Sequence, residues 1–323
     1  MINKKCIIAA LNNGTMISRR ALRIRCFQLL FAHFKQQSQA SVEIIKRQCF
    51  QSLDKSYYFY LTMLSLLDEF RILELNDIEK QKKKLLKNHQ QEFTPVFSNH
   101  PFLLALQNSK EFYQKLNEYK VNFGKDKDWV ISIYRNLQKD ELYLDYVQKK
   151  DFSVEATHQF IDNLIVEYLY HNDLLEHYFE EESQFAYDDL YLSLHLAQKT
   201  IDEFYRHNEV KILSQYKDPV QDKKFVEDLI QYTYENYFVF DNYIATYSKN
   251  WDLDRINFSD LLLIKMCITE LIYMPEIPLK TSVDEYIEIS KEYSTPQSYV
   301  FINGVLVGVI NDLKEKGMLK KTI

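Results

Sequence analysis

Glycine and proline are scarce, at 5 and 6 in 323 residues. Tight hairpins and phosphate-cradling loops draw on glycine for their backbone geometry. Their shortage therefore speaks against a sheet-rich fold and against a Rossmann-type nucleotide site. The four cysteines, Cys6, Cys26, Cys49 and Cys267, show no CxxC or other paired spacing. That argues against a zinc site or a disulfide framework and fits a reducing cytoplasm. No apolar run reaches the about 20 residues that a membrane span requires. "CIIAAL" followed by "NNGT" lacks the layout of a secretory signal. The expectation is a cytoplasmic protein with no membrane partner. GxSxG, Walker and HExxH motifs are also missing, so neither an enzyme nor a cofactor is expected.

What the chain has in quantity is aromatic and apolar residues, with 24 Tyr, 21 Phe and 46% hydrophobic residues overall, at a formal charge of −6. They recur at helical spacing, which predicts an all-α helical bundle. Ser18 is placed to cap a helix running from Arg19 to Gln36. Two further helices are expected at Ser41 to Leu53 and Ser56 to Lys87, before Pro95 and Pro101 interrupt the pattern. Residues from Pro101 to Gln215 form a Tyr-rich, acidic middle region closed by Pro219. Val220 to Gly317 reads as helices separated by "SKNWDLDRI", "MPEIP" and "STPQS". In this last part Thr295 with Pro296 looks like an N-cap followed by the first helical residue, and Ser282 with Glu285 like a capping box. The organisation expected is an extension or mis-assigned start at 1–15, an N-terminal helical region at 16–105, a helical insertion at 106–215, and a C-terminal helical domain at 216–323. "FIDNLIVEYLYHNDLLEHYFEEES" from Phe160 aligns without gaps on "FVEDLIQYTYENYFVFDNYIATYS" from Phe225. Duplication and shared amphipathic composition account for this equally well.

Charge is patterned unevenly. "SRRALRIRCFQLLF" puts four arginines at the entrance of an apolar helix in an acidic chain. On a helical wheel Arg25 falls on the wet strip with Gln28, Ala32, Lys35 and Gln36. Arg19, Arg20 and Arg23 project over a sector that turns apolar one turn later, and are expected to stay out of the core. Cations at a helix N-terminus oppose the macrodipole at about 0.3–1 kcal/mol each. The same terminus attracts phosphate through its free N–H groups, and arginines beside it strengthen such an anion site. The lysines of "EKQKKKLLK", Lys80, Lys82, Lys83, Lys84 and Lys87, are a weaker candidate, since such runs are usually solvated helix faces. The acidic cluster Glu180, Glu181, Glu182, Asp188 and Asp189 is read as a solvated face or a landing site for a basic partner. One Glu-x-x-His motif, Glu155 to His158, is half of what a di-iron bundle needs, so no metal is expected.

Gly304 and Gly308 form an i, i+4 pair in a chain nearly free of glycine, which predicts close approach of a neighbouring helix, with Asn303 bonding a nearby backbone group.

Both ends of the chain resemble the NusB transcription-antitermination family. "SRRALRIRCFQLLF" is similar to the family's opening "RRxARxxAxQxLY". "LDRINFSDLLLIKMCITELIYMPEIPLKTSVDEYIEISKEY" followed by "SYVFINGVLVGVI" is similar to its "YEL", "IPxKVAINEAIELAK" and "KFVNGVLDKI" stretches. The resemblance implies an RNA-binding factor that pairs with the ribosomal small-subunit protein NusE on boxA elements of ribosomal RNA leader transcripts, within the RNA polymerase antitermination complex. It implies RNA contacts at Arg19, Arg20, Arg23 and Arg25, and partner contacts at Phe31 and Asp260. The chain departs from the family in its large addition at about residues 37–215, in "KTSVDEY" for "KVAINEA", and in "TPQS" before the last helix. A scaffold that holds NusE without RNA is the alternative, and a metal-dependent helical oxidoreductase a more distant one.

Overall fold

In the computed structural model the described residues are 17–85, 94–123, 127–248, 256–319 and 321, and every regular element among them is a helix. The proposed extension at 1–15, Lys87 and most of "SKNWDLDRI" lie outside them. The chain divides into two compact units. One combines residues up to 53 with those from 214 onward, and the other holds 54–213.

The first unit opens with α1 (Arg19–Lys35), capped by Ser18, whose hydroxyl accepts from the Ala21 amide at 3.2 Å. This helix is buried nearly all round, from Leu22 through Leu30 to His33, against helices of the C-terminal part of the chain. The next helix, α2 (Val42–Leu85), is a single element of 44 residues, where the sequence suggested two. The helix start expected at Ser56 is absent: Ser56 lies inside α2, and its hydroxyl donates to Asp189 at 2.6 Å. The buried face continues through Leu53, Tyr57, Tyr60 and Leu64, so nothing favours a break.

The second unit takes α2 from residue 54 onward and adds α3 (Pro101–Leu106), α4 (Lys110–Glu118), α5 (Asp128–Leu137), α6 (Glu141–Lys149), α7 (Val154–Asn163), a π-helical turn (Leu164–Leu169), α8 (Asp173–Glu182) and α9 (Ala186–His207). Ser109, Asp140, Ser153 and Asn172 cap four of these helices through side-chain oxygens.

Back in the first unit follow α10 (Pro219–Glu235), α11 (Val239–Tyr247), α12 (Phe258–Tyr273), α13 (Leu279–Tyr293) and α14 (Ser298–Glu315). Pro219 occupies the first turn of α10 behind the capping carboxylate of Asp218. Two expected caps are corrected. α13 starts just after Pro278, which puts Ser282 inside the helix and buries it. α14 starts at Ser298, and Thr295 with Pro296 forms the preceding turn, closed by the Thr295 amide donating to the Ser298 hydroxyl at 3.1 Å.

The two halves of the sequence repeat share their helix breaks. α7 with its π turn ends at 169 and α8 begins at 173, while α10 ends at 235 and α11 begins at 239. Phe160 and Phe225, Leu164 and Leu229, and Phe179 and Ile244 are buried at matching places. Amphipathic composition alone does not dictate a shared break, so the correspondence goes beyond periodicity.

On α14 the glycine pair separates. A Cβ on Gly308 would sit 2.4 Å from Cδ1 and 2.7 Å from Cγ of Tyr247 on α11, so a tyrosine ring makes the close approach. Gly304 has nothing within 4 Å of such a Cβ and is exposed, as is Asn303, so the expected contact there is absent. Gly304→Ala should therefore stabilise the protein by about 0.4–1 kcal/mol through lower chain entropy. Gly308→Ala should destabilise it by about 1–3 kcal/mol through overpacking. Urea unfolding of the two variants checks the opposite signs.

Candidate nucleic-acid interface

The arginine segment is built around a buried ion pair. Arg23 donates from Nε to Glu270 Oε2 at 2.8 Å and from Nη2 to Oε1 at 2.7 Å, with the two side chains 2% and 0% exposed. Glu270 sits near the end of the apolar helix α12 and also accepts from the hydroxyls of Ser282 (2.7 Å) and Tyr286 (3.1 Å) on α13. Lys321 joins the cluster by donating to Ser282 Oγ at 2.9 Å and to the Ile277 carbonyl at 2.7 Å. The Arg23 guanidinium also lies 5.1 Å from the Phe225 ring centre and 5.9 Å from that of Tyr286.

Burial by itself would push the Arg23 pKa down, but the charge and hydrogen bonds of Glu270 drive it up instead. Burial would likewise raise the Glu270 carboxyl, and the Arg23 charge and hydrogen bonds outweigh it, holding the group below its ordinary value. A depressed carboxyl pKa contributes stability that is fully present above the unfolded value, about 4.3. That stability is lost as pH falls through the lower folded value. The urea midpoints of the wild type and of Glu270→Gln should accordingly converge as pH is lowered from neutrality into this acid window.

Arg23 and Arg25 correct the wheel. Arg23 was expected to stay out of the core and Arg25 to lie on the wet strip, yet they are 2% and 5% exposed. α1 is enclosed on most sides, so it has little wet strip at this level, and Arg23 enters the interior because Glu270 meets it there.

Arg19 and Arg20 stay nearer to solvent. Arg20 grips Glu285 on α13 through Nε at 2.7 Å and Nη2 at 2.9 Å, with 15% and 19% of the two side chains exposed. Arg19, with 36% of its side chain exposed, reaches Asp222 on α10 from Nε at 3.3 Å and lies over Phe225. Asp222 is held in turn by the amides of Lys217 and Asp218, both at 3.1 Å. A cleft of about 360 Å³ opens here, lined by Ser18 and all three arginines on one side and by Glu276, Ile277, Pro278, Thr281 and Glu285 on the other. Two helix N-termini border it, those of α1 and α13. Each presents N–H groups and the positive end of a helix dipole.

The other expected residues fall elsewhere. Phe31 is half-buried in an aromatic cluster with Phe27 and Phe258, at ring separations of 5.7 and 5.1 Å. Asp260 is 5% exposed and takes the hydroxyls of Ser294 and Ser298, which ties the α13–α14 turn to α12. Among the lysines, Lys80, Lys82 and Lys83 are exposed, and Lys83 pairs with Glu79 at 2.8 Å. The acidic cluster is only partly a surface. Asp189 is 1% exposed and receives the hydroxyls of Ser56 and Ser183, while Glu182 pairs with Lys55. Of the three acids that organise the arginines, Glu270 and Asp222 carry no motif in the sequence, and Glu285 figures there only as the acid of a capping box with Ser282. The one local signal was an acid embedded in the apolar run "MCITELIYM".

The NusB family model matches residues 184–311. Proteins named transcription antitermination protein NusB are similar over the same scale. That of Salinibacter ruber is 42% identical over 100 residues, covering 31% of this chain and 62% of that protein. That of Chloroherpeton thalassium is 37% identical over 103 residues, covering 32% and 49%. That of Natranaerobius thermophilus is 32% identical over 106 residues, covering 32% and 76%. The match thus spans about half of the Chloroherpeton protein and less than two thirds of the Salinibacter one. No solved structure matches the chain.

Proposed function

The chain belongs to the NusB family, and from that premise we propose that it is a noncatalytic transcription antitermination factor that binds boxA-type RNA together with NusE as part of an RNA polymerase antitermination complex. The supporting observation is the cleft at the front of α1, where Arg19 and Arg20 meet the N-termini of α1 and α13. Two dipoles and two partly exposed guanidinium groups suit backbone phosphates. Such contacts position an RNA strand without reading its sequence. Base identity would be read by stacking and polar groups on unpaired bases. In this reading Arg23 is a positioning residue: its pair with Glu270 fixes the first turns of α1 against α12 and α13.

Arg19 and Arg20 already have carboxylate partners, so phosphate must displace or share Asp222 and Glu285. That requirement favours the second reading, a scaffold that holds NusE without RNA. Fluorescence anisotropy of the full chain with boxA RNA and with a scrambled RNA, each with and without NusE, separates the two. Preference for boxA that increases with NusE supports the first reading. NusE binding with no RNA binding under any condition supports the second.

A further inference from the structure

We infer that His158, Asp162 and Asp202 in the second unit form a binding site for a divalent transition-metal ion of the Mn²⁺ class, pinning α7 to α9. The imidazole Nε2 lies 2.8 Å from Asp202 Oδ1 and 3.5 Å from Asp162 Oδ2, and the three possible ligand atoms all fall within 4.8 Å of one another. The spacing differs from the Glu-x-x-His pattern that drew attention in the sequence. Glu155 is exposed and outside the cluster, and the second ligand on α7 is one turn after His158, where i and i+4 share a face.

Charge and hydrogen bonding both leave the trio incomplete. Nε2 carries at most one hydrogen, so it cannot fully serve two carboxylates converging on it. With a protonated imidazole the trio keeps one excess negative charge, and with a neutral imidazole it keeps two. A divalent cation bound to neutral imidazole and both carboxylates brings the charge to zero.

The ligands are also braced. The Gln198 amide donates to Asp162 Oδ1 at 3.4 Å. The Tyr205 ring stacks on the imidazole at 4.2 Å between centres and an interplanar angle of 27°. The Tyr205 hydroxyl is shielded from solvent with no hydrogen-bond partner among the described residues, and the Asp162 charge acts on it. Such outer contacts fix ring orientation and ligand geometry in metal sites. The three ligands are 30%, 27% and 32% exposed, which leaves room for water to complete an octahedral shell. One imidazole with two carboxylates and water suits Mn²⁺ and related ions, whereas the lack of thiolate disfavours softer ones.

The test uses the full chain, stripped with chelator and titrated with MnCl₂, with free Mn²⁺ counted by electron paramagnetic resonance and thermal unfolding followed in parallel. The wild type should bind one ion per chain with the tightest affinity and melt at higher temperature when loaded. Asp202→Asn and His158→Ala should each weaken that binding by about tenfold or more and lose the thermal shift. His177→Ala, exposed on α8 beside Glu181, should leave both unchanged. Asp162→Asn supplies an independent ligand variant should either of the others unfold. Absence of Mn²⁺ binding to the wild type, or equal affinity in folded ligand variants, would overturn the assignment.

Discussion

Replacing Glu270 with alanine is expected to destabilise the protein by about 3–5 kcal/mol, the cost of leaving a buried charge without its partner. Arg23 is 2% exposed, so without Glu270 its guanidinium keeps little hydration and only the longer 3.9 Å approach to Glu285. The substitution also removes the acceptor for the Ser282 and Tyr286 hydroxyls, and a buried donor left unsatisfied costs about 1–3 kcal/mol. Arg23→Lys should also be costly, since an ammonium cannot reproduce the paired Nε and Nη2 bonds. The double variant Arg23→Met, Glu270→Leu should recover much of the loss, because the pair itself adds little net stability once its desolvation is counted. Removing the half-buried Glu285 should cost about 1 kcal/mol or less. Urea unfolding of the set gives the ranking. A Glu270→Ala cost no larger than that of Glu285→Ala would show that Arg23 is not committed to the interior.

The second large effect concerns RNA. Arg19→Ala with Arg20→Ala should weaken boxA binding at least tenfold at moderate salt. Losing two phosphate contacts on a single strand should also flatten the plot of log affinity against log salt by about 1.4, at about 0.7 per contact. The two side chains are partly exposed and sit at the mouth of the cleft, so folding should survive their removal. Lys80→Ala with Lys83→Ala should leave affinity and slope unchanged, since these residues lie on an ordinary solvated face of α2. Anisotropy titrations at several salt concentrations read both quantities.

The sequence was informative wherever the determinant is local. Scarce glycine and helical periodicity point to an all-α chain, and Ser18 marks a helix start that the structure keeps, while Pro219, read as the close of the middle region, stands in the first turn of α10. It was misleading where a residue's fate depends on a distant partner. The helical wheel sets Arg23 over a sector that turns apolar and holds it out of the core, but Arg23 meets an acid 247 positions away and is drawn inside. Ser56 and Ser282 have the chemistry of caps, yet each serves a remote carboxylate, Asp189 or Glu270, from within a helix. Gly304 and Gly308 sit one turn apart on one helix and look alike in the sequence, and only the position of Tyr247 tells them apart. At the candidate interface the cations were visible beforehand, whereas the acids that hold them became identifiable only once α10, α12 and α13 were brought beside α1.

The most direct test of RNA recognition at this cleft compares Arg20→Ala with Glu285→Gln for affinity to the same boxA RNA at one fixed salt concentration. Glu285 holds Arg20 through two hydrogen bonds and sets a negative charge beside it. Removing that negative charge should weaken the repulsion of phosphate at this end of the cleft and raise affinity, while removing Arg20 should lower it. Opposite shifts of this kind are the predicted result. Two variants that fold normally and bind boxA RNA with wild-type affinity would contradict it.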